Sequence, residues 1–154
     1  MLEKVYGVTN VGLRKLYVNR DGKYVFTKFQ QTCNGSDVFG GDFIVKRDLN
    51  GNILFINGCL RKVSQIMGQR ISPNQAIDYA VKALDDEVPN WMIDSSKRGV
   101  ILDFEEQKYE KPTPSLRYYM KNDQLGGDFV LSYFIKISTN KPAEYQFYVD
   151  AFTG

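Results

Sequence analysis

Leu13–Asn19, Tyr24–Cys33, Val38–Asp48 and Asn52–Asn57 are runs rich in Val, Ile, Phe and Tyr, separated by Arg20-Asp21-Gly22, Asn34-Gly35 and Asn50-Gly51. β-Branched and aromatic side chains suit half-buried pleated surfaces. Asn-Gly and Asp-Gly supply the positive φ angles that tight hairpin turns demand. The pattern predicts four consecutive strands in an antiparallel meander.

After this meander the period changes. Arg61–Arg70 is polar and irregular and reads as a linker. Within Ser72-Pro73-Asn74-Gln75, Ser72 can accept an unpaired amide hydrogen, Pro73 suits the first helical position, and Gln75 can reach back to close a capping box. Ala76, Ile77, Ala80, Val81 and Leu84 then recur at helical spacing. This predicts one amphipathic helix from Pro73 to about Asp85, its apolar stripe against a sheet.

Val88–Arg98 reads as a loop whose Trp91 either caps one end of the core or stands exposed as a contact point. Gly99–Phe104, Gln107–Tyr109 and Leu116–Lys121 are short strand candidates, broken by Pro112-Thr113-Pro114. Beyond Gly126-Gly127, Phe129, Leu131, Tyr133, Ile135 and Ile137 alternate along a longer strand, as do Tyr145, Phe147 and Val149 along the last one. The predicted class is α+β in two small subdomains. Residues 1–62 would form the antiparallel β-meander, and 63–154 a cystatin-like helix packed on an antiparallel sheet.

Composition narrows the function classes. The 154 residues are 43% hydrophobic and 25% charged, which excludes a largely disordered chain. Ten Tyr and ten Phe strengthen the β-rich reading. Twenty Lys and Arg against eighteen Asp and Glu leave a net charge of +2, without the basic stripe of a nucleic-acid binder. Lys46-Arg47, Arg61-Lys62, Asp85-Asp86-Glu87 and Glu105-Glu106 read as solvated faces.

The chain holds no histidine. Histidine is the commonest metal ligand and general base near neutral pH, so Ser-His, Cys-His and His-based zinc mechanisms are excluded. Asp103 with Glu105, and Asp123 with Asp128, leave carboxylate chemistry as an alternative that solvated strand residues explain more simply. No run of about 18 apolar residues spans a membrane. Met1–Gly7 does not make a signal peptide, so an exported protein would lack its export segment here. Cys33 and Cys59 leave two readings open, a disulfide or two half-buried free thiols. Neither has the roughly four ligands of a metal site around it, and no cofactor is expected in this chain.

The stretch Tyr24–Asp48, YVFTKFQQTCNGSDVFGGDFIVKRD, resembles the FTP domain (fungalysin and thermolysin propeptide) of secreted zinc metallopeptidases. That family carries an aromatic-rich strand ending in Gln-Thr, a turn with Gly, then Val-Phe-Gly-Gly or Val-Tyr-Gly-Gly, an alternating strand and a Gly turn leading to apolar-Asn-Gly. Gln31, Thr32, Gly35, Val38, Phe39, Gly40, Gly41, Asp42, Gly51, Asn57 and Gly58 stand in those places. The second half is similar to the PepSY domain that follows in such precursors. Ile71-Ser72 opens an Ala-rich helix at Ala76-Ile77, Leu131, Ser132 and Tyr133 form a Leu-x-Tyr strand, and Tyr148, Val149, Asp150, Ala151, Thr153 and Gly154 form the closing run. The chain departs from the family in its cysteines, in the short segment before its first strand, and in having no His-Glu-x-x-His helix.

The resemblance implies a non-catalytic propeptide, acting as intramolecular chaperone and inhibitor of a thermolysin-like zinc metallopeptidase. Its partner would be that catalytic domain, which would hold the zinc, and its location secreted, periplasmic or extracellular. The alternative is a free-standing secreted protein of the same fold that inhibits a protease in trans. Apart from any family, Gly40-Gly41 inside a strand fits a bulge or a close backbone approach. Gln31 can satisfy buried backbone groups beside it. These motif residues read as scaffold rather than as a reactive site.

Overall fold

The computed structural model describes residues 11–63, 68–94, 110–120, 129–141 and 143–154. Among them lie strands β1 (Val11–Asp21), β2 (Tyr24–Cys33), β3 (Ser36–Asp48) and β4 (Ile53–Gly58), helix α1 (Pro73–Lys82), and strands β5 (Ser115–Met120), β6 (Phe129–Ser138) and β7 (Glu144–Asp150). A single 3-10 turn covers Asn90–Met92. The predicted strands at Gly99–Phe104 and Gln107–Tyr109, the Gly126-Gly127 lead-in, and the carboxylates Asp103, Glu105, Asp123 and Asp128 lie outside the described residues.

The first four strands form where the alternating pattern puts them, and each pairs antiparallel with the next. Cys33 faces Ser36 across a two-residue loop. In that loop Asn34 and Gly35 both take positive φ, 48° and 81°, the backbone whose twist matches the flanking strands.

The predicted class of α+β with two subdomains, each with its own sheet, is overturned. Hydrogen bonding orders the strands β1-β2-β3-β5-β6-β7 in one seven-stranded mixed sheet, with β4 on β3. Helical structure among the described residues amounts to ten residues of α1 and the 3-10 turn. The reason lies in β3, whose first residues keep β2 on one side, with Asp37 opposite Thr32, and pair in parallel with β5 on the other, Asp37 with Arg117 and Val38 with Tyr118. Alternation dictates which face a strand buries and says nothing about which distant strand it takes as neighbour.

By its internal contacts the chain divides into two compact units, Met1–Ile66 with Arg117–Val130, and Met67–Leu116 with Leu131–Gly154. In the first, Thr27, Gln31, Cys33, Val38, Val45, Tyr118 and Phe129 are buried. Val63, inside the stretch expected to be a linker, is also buried and bridges Phe129.

In the second unit the expected capping box closes. Gln75 N donates to Ser72 Oγ at 3.2 Å and Ser72 N donates to Gln75 Oε1 at 2.8 Å. Ala76, Ile77 and Ala80 pack with Tyr133, Ile135, Ile137, Val149 and Ala151. Ile135 and Ile137 are fully buried, and each such side chain contributes about 1.5–3 kcal/mol. The helix stops at Lys82, short of the expected Asp85, and Asp85 takes a left-handed φ of 57°. Leu84 still reaches the core from the turn that follows, and Trp91 packs half-buried against the same cluster. Among the described residues no helix is long and apolar enough to cross a membrane.

Candidate functional site

The first unit is organised around an irregularity in the β2–β3 pairing. Gln30 faces Asp42 and Thr32 faces Asp37, so Gln31 alone stands opposite Val38, Phe39, Gly40 and Gly41. An expanded bulge of this kind leaves carbonyls without ladder partners, and buried ones must be matched elsewhere. Gln30 Nε2 donates to Val38 O at 2.7 Å and to Gly41 O at 3.2 Å. Gly40 O accepts from Arg61 Nε at 3.2 Å and from Cys59 Sγ at 3.4 Å.

Gln31 holds the other side. It is 1% exposed, and its amide meets the backbone of Arg61 at two points. Nε2 donates to Arg61 O at 2.8 Å, while Arg61 N donates to Oε1 at 2.7 Å. Gly40 turns the chain at φ 65°. At Gly41 the constraint is space, because a Cβ there would stand 2.5 Å from Gln31 Oε1 and 3.0 Å from Gln31 Cβ. Gly58 is equally tight: a Cβ would run into the backbone of Asp42 and Phe43.

The structure thus gathers Gln31, Val38, Gly40, Gly41, Asp42 and Gly58 around one bulge. Phe39, 52% exposed, is turned outward with its ring 5.2 Å from that of Tyr119. Asp42 pairs with Lys28 at 2.9 Å, and the hydrogen bond and charge of its carboxylate raise the Lys28 ammonium above its ordinary pKa. Thr32 is half-buried in β2, Gly35 lies in the hairpin loop, and Asn57 is exposed on β4. Of the residues that complete the clamp, Gln30 went unmarked in the sequence and Arg61 was read only as part of a solvated face at the start of a linker. Their partners lie 8 to 30 residues away along the chain, and no local spacing announces them.

The remaining motif residues belong to the second unit. Tyr133 faces Val149, and Phe134 faces Tyr148, in the β6–β7 pair. Asp150 Oδ1 accepts from Phe152 N at 2.8 Å and Thr153 N at 3.1 Å, which turns the chain sharply after β7. Ile71 N then donates to Ala151 O, and Tyr133 OH to Ile71 O, both at 2.9 Å. The residue before the helix cap is therefore held by both of its backbone groups. Gly154, at φ 85°, lies where a Cβ would collide with the Tyr79 ring.

Glu87 is a further polar centre that the charge pattern misassigned to a solvated face. Its carboxylate accepts from Tyr145 OH at 2.7 Å, Thr139 Oγ1 at 2.7 Å and Lys141 Nζ at 3.0 Å. These hydrogen bonds, that from Tyr145 first, lower its pKa to about 2. Both cysteines are free thiols in the structure, Cys33 buried and Cys59 exposed rather than both half-buried. Among the described residues no group of three or more His, Cys, Asp or Glu could hold a metal ion.

The polar side chains at these centres hold backbone and one another, as in a β-sheet scaffold that presents a surface. Residues 13–60 match the family model of the Fungalysin/Thermolysin Propeptide Motif. The matched stretch runs through β1, β2, β3 and β4 and contains the whole bulge with Gln30, Gln31 and Cys59. The motif is that of a propeptide, a non-catalytic region that associates with the protease domain of a thermolysin-like or fungalysin-like precursor. The comparison with curated proteins gives no match.

Proposed function

We propose that this chain is the propeptide of a thermolysin-like zinc metallopeptidase, its second half a PepSY-like unit, and that it acts as intramolecular chaperone and inhibitor of that enzyme. The observation that carries this reading is the propeptide-motif match over 13–60, which coincides with the glutamine-clamped bulge. Large proteases fold through slow, aggregation-prone intermediates. A partner surface that binds the near-native peptidase better than its unfolded forms shifts the population toward the native one by that difference in affinity.

The same complementarity blocks the folded enzyme. It requires no reactive group in this chain, only a surface of roughly 800 Å² per partner with a few aromatic anchors. Phe39, turned outward by the bulge beside Tyr119, has the chemistry of such an anchor. The zinc belongs to the peptidase, and the precursor to a secreted or extracellular setting. The test adds the purified chain to its thermolysin-like peptidase. Inhibition at stoichiometric ratio and a higher refolding yield of the denatured enzyme are expected. Unchanged rate and yield at micromolar excess would refute the proposal.

A further inference from the structure

The meander of β1 to β4 has two faces of different character. Thr27, Gln31 and Cys33 of β2 and Val45 of β3 alternate onto one side, where they are buried. The residues between them therefore point the other way. Across that outer face Phe26 stands opposite Lys46 and Lys46 opposite Phe55, while the next row carries Tyr17, Lys28 and Ile44. Tyr17, Tyr24 and Phe55 are 51, 37 and 46% exposed.

Lys46 is set into this aromatic surface. Its Nζ lies 3.6 Å from the centre of the Tyr24 ring, 5.5 Å from that of Phe26 and 5.8 Å from that of Phe55, so ring faces hold the ammonium in place. Among the described residues no carboxylate pairs with it: Asp37 is taken by Arg14, Asp42 by Lys28 and Asp48 by Asn52. The imbalance runs through the whole stretch. Residues 11–63 hold nine Lys and Arg against four Asp and no Glu, a local excess that the chain's overall charge of +2 conceals.

We infer that this outer face docks the peptidase domain, and that the peptidase meets it with an acidic patch whose carboxylate seats on Lys46 among the rings. The partner comes from the propeptide reading, on which this depends, and the motif match over 13–60 spans the four strands that build the face. Its charge comes from complementarity, since opposite potentials speed encounter and fix orientation. Tyr and Phe rings bury much area, and a Tyr hydroxyl keeps a polar handle at the contact. A carboxylate on Lys46 is ringed by apolar side chains, which shield the pair from salt better than open water does. Because the rings already hold the lysine, little of its freedom remains to be lost on binding.

Inhibition of the thermolysin-like peptidase by the purified chain, measured from about 50 to 500 mM salt, decides it. The unsubstituted chain should inhibit less tightly as salt rises, and Lys46→Glu should weaken inhibition about tenfold or more, as loss of a central anchor does. Phe55→Ala stands in if circular dichroism shows that Lys46→Glu does not fold, and it too should weaken inhibition. Inhibition that neither salt nor either substitution changes overturns the docking face and leaves the propeptide reading intact. No inhibition by any form overturns both. If inhibition is unchanged and Lys46→Glu instead abolishes retention on a heparin column, the face belongs to an anionic polysaccharide and the peptidase assignment is refuted.

Discussion

Gln31 ties the bulge to the chain beyond β4, since its side-chain amide pairs with both backbone groups of Arg61 while Gln30 meets the bulge carbonyls of Val38 and Gly41. Substituting Gln31 by Leu removes both part-buried hydrogen bonds to the N–H and C=O of Arg61, each worth about 0.5–1.5 kcal/mol net. Gly41→Val pushes side-chain atoms into the space that Gln31 fills, an overpacking worth about 1–3 kcal/mol. Both variants should shift the midpoint of urea unfolding downward, and unchanged midpoints would contradict the clamp. The Gly-Gly pair and Gln31 were legible because a strand rarely tolerates two adjacent glycines. Within that pair the causes divide. Backbone freedom matters at Gly40, with its φ of 65°, and room matters at Gly41.

Among the elements, α1 was readable in detail because everything that starts it is local: Ser72, Pro73 and Gln75 are neighbours along the chain. Glu87 illustrates the opposite case. Thr139, Lys141 and Tyr145 lie 52 to 58 residues downstream, so an acidic run looked solvated when one member ties the segment after α1 to the β6–β7 connection. This has a pH consequence. The carboxylate's pKa falls from its ordinary 4.5 to about 2 in the folded chain, so the unfolded state binds the proton first. The stabilisation is complete above about pH 4.5 and is lost as pH falls toward 2. The gap in melting temperature between the native chain and Glu87→Gln should narrow steadily across that window. A gap that stays constant down to pH 2 would show that Glu87 contributes nothing through its charge.

For the molecule as a whole, hairpin turns and alternation gave β1, β2, β3 and β4 and their pairing, and the apolar spacing gave β6 and β7. The mixed sheet was out of reach, because the parallel junction of Asp37 and Val38 with Arg117 and Tyr118 joins segments that carry no mark of each other. Cysteine count alone was equally silent on pairing. With both thiols free, adding a reductant should leave the melting temperature unchanged, and a fall on reduction would reveal a cross-link.

β3 serves two masters at different distances in the chain. Its partners β2 and β4 arrive through short turns, whereas Val38 must wait for Tyr118, 80 positions further along the chain. Local contacts form quickly and remote ones slowly, because the intervening chain must first give up its freedom. The nascent hairpins thus come first, and the start of β3 finds its second neighbour only after Tyr118 has been synthesised.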